Sequence, residues 1–344
     1  MKYLNLIQYF CFALLFFGCG KENDKKKIFD AQEHVINVKD KIVEISTDPI
    51  DISRISAPYI LNEYLIIGDH FSPDKLIHIF NKNTFEYMTS IGDKGQGPCE
   101  IANMGRIVSN EKDRRFYVID IGKQKILDYP IDSVLMDSLY IPKEKAAIKK
   151  QEFPYTFQYV NDTLSFALLM RMNPNKSDYK PIVSKWNMQT GEIVYLGDGG
   201  YPTIKSKRVS FDASVEHGIY VETYWHNELM RLYTIDGNLK YNIYGKNWND
   251  DDSHRDLYFN QVAICKDKIV ACYLGGLNIV KTEQGLKGNY PTQLLFFNLE
   301  GDYLFNLMVG YPITTFCYDE GNNRIVFEFN DEIQFGYLDM DEFI

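Results

Sequence analysis

Several sequence patterns that usually mark catalysis or metal binding are missing from this chain. There is no HExxH pair, no glycine-flanked serine elbow, no CxxC pair and no cysteine–histidine ligand spacing. His70 and His226 have no partner histidine close by in the sequence, and an isolated histidine is more often a hydrogen-bonded structural residue than a ligand or a base. We therefore predict no catalytic residues, no bound metal and no cofactor.

Positive charge is also scarce. The 37 Lys and Arg residues are outnumbered by 47 Asp and Glu residues, which gives a net charge of −10, and the lysines are scattered among the acidic residues. Nucleic-acid binding requires a concentrated basic surface. The sequence therefore predicts no nucleic-acid partner and disfavours a polyanionic ligand.

The N-terminus lacks the length of apolar sequence that would span a membrane. Lys2 is followed by an apolar run over residues 3–17, whereas a transmembrane helix needs about 20 residues. This is the outline of a signal peptide. Residues 15–19 (LFFGC) are similar to a lipobox, in which the cysteine is acylated and becomes the new N-terminus.

The lipobox implies that residues 1–18 are removed and that Cys19 carries acyl chains such as palmitate. Each buried acyl methylene contributes about 0.8 kcal/mol, so several chains would anchor the protein to the outer membrane, on its periplasmic or its cell-surface side. The alternative is an ordinary secreted protein in which Cys19 is a hydrophobic residue. Residues 19–34 begin with a charged run and predict a flexible tether, followed by a folded domain over residues 35–344.

Long helices are absent too. No segment of 12 or more residues outside the signal shows sustained helical periodicity, whereas short apolar strands recur about every 50 residues. Hairpin tips such as QTG at 189–191, DGN at 236–238 and EGD at 300–302 favour positive φ. The six recurring strands are residues 64–69, 116–120, 164–168, 219–223, 268–273 and 324–329.

The repeat length and the chain length favour a propeller over a two-sheet sandwich. Six four-stranded blades account for about 300 residues, whereas a sandwich rarely needs more than about 250. We therefore predict an all-β, six-bladed β-propeller. The last unit lacks one strand before the chain ends at Ile344, and residues 41–45 (KIVEI) are placed to supply it. The ring would then be closed by an N-terminal strand.

Residues 91–100 (IGDKGQGPCE) resemble the inter-blade signature of NHL-like and TolB-like six-bladed propeller lipoproteins. Cys99 stands where that signature has a glycine, and Ile101 stands where it has an aromatic residue. The resemblance implies a propeller fold and a structural role for the glycines, which adopt backbone conformations that other residues disfavour. A phosphate-cradling loop is the competing interpretation, but no Ser or Thr follows Lys94 and Gly95, and no helix begins nearby.

Ligands of propellers usually bind at the central channel, where loops from every blade converge on one face. We therefore place the candidate ligand-binding face at the polar ends of the recurring strands. Tyr224 and Trp225 would stack on a sugar or a flat ligand, although packing between blades is the commoner role of such aromatic residues. The candidate residues are Asp69, His70, Asp120, Lys123, Glu222, Tyr224, Trp225, His226 and Asn330.

Two further groups of residues have structural interpretations. The acidic cluster at 249–253 (NDDDS) lacks the central glycine and the closing glutamate of an EF-hand, so it predicts a solvated loop. The four cysteines of the mature chain are predicted to be small core residues, and a disulfide between two of them stays open because an exported protein meets an oxidising compartment. These cysteines are Cys99, Cys265, Cys272 and Cys317.

Three functions are consistent with the sequence. The first is a non-catalytic binding or scaffold lipoprotein at the outer membrane, with a carbohydrate, peptide or protein partner. The second resembles the calcium-dependent six-bladed propeller hydrolases and lactonases, in which Glu222, Asp120 and Asn330 would hold a channel metal. The third is a subunit of a membrane complex that docks through the blade edges or one face of the ring.

Overall fold

The computed structural model describes residues 25–173, 179–197, 208–246, 248, 255–283 and 285–344. Three short strands and a single-turn 3-10 helix at Lys39–Lys41 precede the first blade. The strands are β1 (Lys26–Phe29), β2 (Val35–Asn37) and β3 (Val43–Glu44).

The remaining chain forms six antiparallel sheets, blades 1 to 6, and the first three follow one another along the chain. Blade 1 contains β4 (Ser56–Leu61), β5 (Tyr64–Asp69), β6 (Lys75–Asn81) and β7 (Tyr87–Asp93). Blade 2 contains β8 (Met104–Asn110), β9 (Arg115–Asp120), β10 (Lys125–Pro130), the short helix α1 (Ile131–Met136) and β11 (Lys143–Ala147). Blade 3 contains β12 (Glu152–Asn161), β13 (Leu164–Met172), β14 (Tyr179–Trp186) and β15 (Ile193–Tyr195).

The second half of the ring has one inserted hairpin. Blade 4 contains β16 (Val209–Ser214), β17 (Ile219–Tyr224), β18 (Leu229–Thr234) and β19 (Leu239–Gly245). Blade 5 contains β20 (Asp256–Cys265), β21 (Lys268–Leu277), the inserted hairpin β22 (Ile279–Thr282) and β23 (Gly285–Gly288), then β24 (Gln293–Asn298) and β25 (Tyr303–Met308). Blade 6 contains β26 (Ile313–Asp319), a 3-10 turn at Glu320–Asn322, β27 (Arg324–Phe329) and β28 (Phe335–Asp339).

These sheets confirm the predicted all-β six-bladed propeller. The first strand of each blade lies at the central channel, and the next strands follow outward in order. Ring closure also follows the prediction, because β3 pairs antiparallel with β28, with Val43 opposite Tyr337 and Glu44 opposite Gly336. Blade 6 thus takes its outermost strand from the N-terminal region. None of the helices in the described part of the chain has the length and apolar character needed to cross a membrane.

The core is divided into six clusters of buried apolar residues, one at each interface between neighbouring blades of the described chain. Side chains of a strand alternate between its two faces. In β5, Tyr64 and Ile66 therefore pack toward blade 2, whereas Leu65 and Ile67 pack toward blade 6. Both faces are buried, which explains why the second strands are continuous apolar runs in the sequence.

Part of the predicted flexible tether, residues 26–34, is folded against the blades. Residues 26–45, here called the N-terminal strap, run along the outer edges of blades 4, 5 and 6. β1 pairs parallel with β19, and β2 pairs parallel with β25. Phe29 anchors the strap, because its side chain is 2% exposed and meets Phe297 edge-on with ring centres 5.5 Å apart. Residues 26–34 therefore belong to the folded structure, contrary to the flexible tether that their charge predicts.

The four cysteines within the described residues, Cys99, Cys265, Cys272 and Cys317, are free. Cys265 and Cys272 are buried in the core, and Cys317 is partly buried. Cys99 is exposed, so the prediction of a core position is wrong for this residue, because it lies in the glycine-rich turn between blades 1 and 2 rather than on a strand. Burial raises the pKa of the Cys265 and Cys272 thiols well above its usual value, which keeps them in the unreactive thiol form.

Candidate functional site

The six first strands enclose a cavity of about 420 Å³ along the ring axis, here called the inner channel. Every blade contributes to its lining. Side chains of these strands also bridge neighbouring blades: the Ser109 hydroxyl donates to the Ile60 carbonyl at 2.6 Å, and the Gln261 amide donates to the Phe316 carbonyl at 2.6 Å. Such bonds fix the first strands relative to one another, so the channel is formed before any ligand arrives.

Asp212 makes the corresponding bridge between blades 4 and 5. Its carboxylate accepts hydrogen bonds from the Ile264 amide at 2.7 Å and the Ala213 amide at 2.9 Å, and from the Gln158 side chain of blade 3. Burial raises the pKa of Asp212 to about 6, although these three donors act in the opposite direction. The inner channel therefore contains a carboxyl group that gains a proton at mildly acidic pH.

A second cavity, of about 730 Å³, opens at the end of the ring where β4, β8 and β26 begin. We call it the channel mouth. Residues of blades 1, 2, 3, 5 and 6 line it. Its size lies within the range of about 300–1,000 Å³ that is typical of small-molecule sites. The side chains that carry its chemistry include Arg54, His70, Lys94, Arg106, Tyr155 and Glu328.

Arg106 lies where the mouth meets the inner channel, because it lines both cavities together with Tyr155 and Thr315. Its guanidinium carbon is 5.6 Å from the centre of the Tyr155 ring, within the range of a cation–π interaction. Burial lowers the pKa of Arg106, but the neighbouring phenols of Tyr59 and Tyr155 outweigh burial and hold the pKa above its usual value. Arg106 is thus a permanent positive charge at the entrance to the inner channel.

Glu328 is the acidic residue in the lining of the mouth. Its side chain is 1% exposed, and its oxygens accept hydrogen bonds from the Ser56 amide at 3.1 Å and the Thr314 hydroxyl at 2.6 Å, as well as from the Ser56 hydroxyl. Burial raises its pKa, although these donors act to lower it. Glu328 therefore joins blade 6 to blade 1 and offers little free negative charge to a ligand.

The indole nitrogen of Trp225 and the side-chain oxygen of Asn260 are buried beside the inner channel and lack a hydrogen-bond partner within the described residues. Buried polar groups are nearly always satisfied in folded proteins. These two groups can therefore form hydrogen bonds with water or with a ligand that enters the channel.

Two of the predicted site residues line the cavities, and the other seven do not. His70 lines the mouth and Trp225 lines the inner channel, so the structure brings these two to the same axial passage. His70 contacts the Met104 carbonyl through Nδ1 at 3.1 Å, and burial lowers its pKa, an effect that the nearby Arg106 charge reinforces. Asn330 bonds the Pro312 carbonyl through its backbone amide, and it is not part of either cavity lining.

Asp69, Asp120 and Lys123 hold backbone in place. The Asp69 carboxylate accepts bonds from the backbone amides of Ser53, Phe71 and Ser72. Asp120, which is 0% exposed, accepts bonds from the amides of Ala102, Asn103 and Lys123 at 3.1 Å each. The Lys123 ammonium donates to the carbonyls of Gly97 and Glu100. These charged groups form hydrogen bonds with the backbone of the turns and linkers between strands.

Glu222, Tyr224 and His226 lie inside or beside blade 4. Tyr224 is fully buried, donates to Glu222 at 2.7 Å and accepts from Arg231 at 3.1 Å. His226 contacts the Asp256 carbonyl at 2.8 Å. The described residues contain no group of three or more His, Cys, Asp or Glu side chains that could hold a metal ion. Cys19 and the acidic cluster at 249–253 lie outside the described residues.

The glycine-rich turn at 91–100 has the structural role that the resemblance implies. Gly92 has φ of +76°, and a Cβ at this position would lie 3.0 Å from the Ile101 side chain. The Gly97 amide donates to the Glu100 carboxylate at 2.6 Å. The turn is thus closed by its own side chains and by Lys123.

A ring of six antiparallel blades with its first strands around an axial channel defines the protein as a six-bladed β-propeller. Residues 21–265 match the DUF5128 model, which is described as a 6-bladed beta-propeller, and the chain belongs to this family. The sequence matches no curated protein.

Solved structures with low sequence identity share the fold. A protein of Bacteroides fragilis that is described as exported has a TM-score of 0.56 and 12% identity, over 89% of this chain and 88% of that one. A DUF4221 member from Bacteroides vulgatus has a TM-score of 0.56 and 9% identity, over 86% and 94%. The β-propeller domain of Cps50 from Myceliophteria thermophila has a TM-score of 0.51 and 9% identity, over 87% and 99%. At these identities the similarity shows the fold alone.

Proposed function

We propose that the protein is an exported lipoprotein that acts as a non-catalytic binding or scaffold propeller, and that its ligand enters at the channel mouth. The signal-like N-terminus, the lipobox at residues 15–19 and the description of the Bacteroides fragilis relative as exported support the placement at the cell envelope. The NHL-like or TolB-like kinship that residues 91–100 suggest is part of the same proposal.

One observation carries the binding role. The mouth is a preformed cavity of about 730 Å³ that five blades line, and it continues into the inner channel at Arg106, Tyr155 and Thr315. A concave site with a few convergent polar groups on a rigid frame is the usual form of a ligand site. Carbohydrate and peptide groups both fit such a cavity, and a protein partner would insert a side chain into it.

The hydrolase alternative has no observation in its favour. Among its three supposed metal ligands, Asp120 already accepts three backbone hydrogen bonds, and Glu222 is buried beside Tyr224. Catalysis also needs a nucleophile or base within reach of its partner group. Ser56 and His70 both line the mouth, but the Ser56 hydroxyl donates to Glu328 and the His70 Nδ1 contacts the Met104 carbonyl, so these atoms do not pair with each other. We therefore retain the binding role.

The anchor is tested separately from the ligand site. Metabolic labelling with radioactive palmitate should label the wild-type protein and the Cys11→Ser variant, because Cys11 lies within the predicted signal peptide. Cys19→Ser should abolish the label. Equal labelling of Cys19→Ser and wild type would contradict the anchor and leave the binding site unaffected.

The binding site is tested by filling it. Ala102 lines the mouth and is partly exposed, so Ala102→Trp should block the cavity. Val215→Trp is the matched control, because Val215 is 52% exposed at the hairpin between β16 and β17, on the opposite face of the ring. Thermal-shift screening of a small-molecule and oligosaccharide library should find compounds that stabilise wild type and Val215→Trp but not Ala102→Trp. Equal stabilisation of all three proteins would place the ligand elsewhere.

A further inference from the structure

We infer that the ligand taken at the channel mouth is a small organic carboxylate with a ring or apolar body, bound through Arg106 with Arg54 and Lys94 at the rim. This inference rests on the proposed binding role and adds the chemical class of the ligand. It comes from a contrast between the mouth and the rest of the molecule.

The contrast is one of charge. The whole chain carries a net charge of −10, yet the mouth is lined by Arg54, Lys94 and Arg106, against a single carboxylate, Glu328. Glu328 is 1% exposed and holds three hydrogen bonds from Ser56 and Thr314. The groups that face the cavity are therefore cationic, within a protein whose surface is acidic.

The two arginines are not neutralised by the protein. Within the part of the chain that the structure describes, neither Arg54 nor Arg106 forms an ion pair with a carboxylate. Lys94 gives one hydrogen bond to the Ser72 carbonyl at 3.2 Å, and an ammonium group has two further donors. Other basic side chains of the fold, such as Lys82 and Arg324, are paired with Asp319. Unpaired cations that converge on one cavity favour an anionic ligand.

Arg106 selects a planar anion of modest size. A guanidinium presents donors in a rigid fork that matches a carboxylate. The Tyr155 ring lies against Arg106 at 5.6 Å and restricts its position. The arginine is partly buried where the two cavities meet. The compact carboxylate end of a ligand fits this position, whereas a large polyanion would stay at the rim.

The rest of the mouth suits a ring or an apolar body. Phe71 is 62% exposed, and the Lys94 ammonium lies over its ring, 5.9 Å from the ring centre. Tyr290, from the segment after the inserted hairpin, lines the same cavity, as do Leu76 and Ile121. Aromatic faces pack against sugar rings and aromatic rings alike. A ligand that covers the exposed Phe71 ring would bury apolar surface beside the Lys94 ammonium, which is favourable.

The test compares acids with their uncharged counterparts. Binding of benzoate, galacturonate and succinate is measured by calorimetry beside benzamide, galactose and succinamide, with inorganic phosphate as a non-carboxylate anion. We expect the acids to bind and their uncharged counterparts to bind at least about tenfold more weakly, because a charge-assisted hydrogen bond is stronger than a neutral one. Arg106→Gln should weaken acid binding by about tenfold or more, and Arg106→Lys should fall between Gln and wild type. Arg114→Gln, on the opposite face, should bind as wild type does.

The outcomes separate this inference from the proposed function. If the uncharged partners or phosphate bind as well as the acids, or if Arg106→Gln binds them normally while its circular dichroism and melting match wild type, the carboxylate inference fails. Neutral binding that Ala102→Trp abolishes would overturn the ligand class and keep the mouth as the site. Binding of the acids that Ala102→Trp does not reduce would overturn both. A panel in which no acid binds would also overturn the inference.

Discussion

Asp69 and Asp120 are buried carboxylates that stabilise the turns beside them. Asp69 and Asp120 end the second strands of blades 1 and 2, and each accepts bonds from several backbone amides of the following turn or of the preceding linker. An amide donor that is buried without an acceptor costs free energy. An aspartate at this position therefore fixes the path of the backbone from one strand to the next, and its carboxylate oxygens are occupied by these hydrogen bonds.

Asp120→Asn tests this role. The amide group keeps one oxygen and places a donor where the second oxygen accepted a backbone amide, so one bond is lost and two donors face each other. We expect the free energy of unfolding to fall by about 1–3 kcal/mol, as measured by urea denaturation. The matched control is Asp40→Asn, at an exposed position of the strap, which should change stability by less than about 0.5 kcal/mol. Equal effects of the two substitutions would contradict the turn role.

Asp212 gives stability a defined pH dependence. Its pKa in the folded protein is raised to about 6 by burial, whereas an unfolded aspartate titrates near about 4. Between these two values the folded state holds a proton that the unfolded state has lost. The contribution of this carboxyl to the free energy of unfolding is therefore largest below about pH 4, decreases as the pH rises, and levels off above about pH 6.

The corresponding measurement is carboxyl NMR with urea denaturation between pH 4 and 7. The Asp212 signal should titrate with a midpoint near 6. As the pH rises over the same interval, the free energy of unfolding of wild type should fall relative to that of Asp212→Asn, because the amide does not titrate. A midpoint near about 4, or a difference that is constant with pH, would contradict the buried environment of Asp212.

At the scale of elements, the N-terminal strap is the part of the fold that local sequence describes least well. Four of the nine residues at 26–34 are charged, yet β1 is fixed by pairing with β19 and by the single buried ring of Phe29. Lys27 also helps to hold β1 in place, because its ammonium bonds Asp302 at 2.5 Å and lies 4.2 Å from the centre of the Tyr241 ring. The conformation of this segment is therefore set by contacts with residues that are far away in the sequence.

Two neighbouring substitutions test the strap. Phe29→Ala should lower the free energy of unfolding by about 3–5 kcal/mol, since it leaves a cavity among Phe259, Tyr273 and Phe297. Ile28→Ala is the matched control, because Ile28 is 66% exposed on the same strand, and it should cost less than about 1 kcal/mol. Similar costs for the two, measured by urea denaturation, would show that β1 is not docked as described.

The second strands of all six blades could be predicted from sequence, whereas among the first strands only that of blade 6 was predicted, over residues 313–316. The second strands are buried on both faces and stand out as apolar runs. The first strands face a polar channel on one side, and register shifts interrupt β8, β12, β20 and β26. A shift of this kind breaks the alternation of apolar and polar residues. Arg106 and Tyr155 therefore gave no periodic signal, although they lie at the centre of the candidate site.

At the scale of the whole molecule, a cationic mouth is set in an acidic ring. At physiological ionic strength the screening length is about 8 Å, so a ligand in the mouth interacts with Arg54, Lys94 and Arg106 and hardly with distant acidic side chains. The six interface clusters and the bridges between first strands hold these cations in place. Binding then requires little rearrangement of the protein. The fold class and the ring closure were accessible from the repeat, whereas this charge arrangement arises only when distant segments meet.

The most direct test of this account is a crystal structure of the protein with 4-bromobenzoate, in which anomalous scattering locates the bromine. The account predicts a bromine peak within the channel mouth and a carboxylate that accepts hydrogen bonds from Arg106. A bromobenzoate molecule bound only outside the mouth, or a mouth filled by side chains so that no ligand enters, would contradict it.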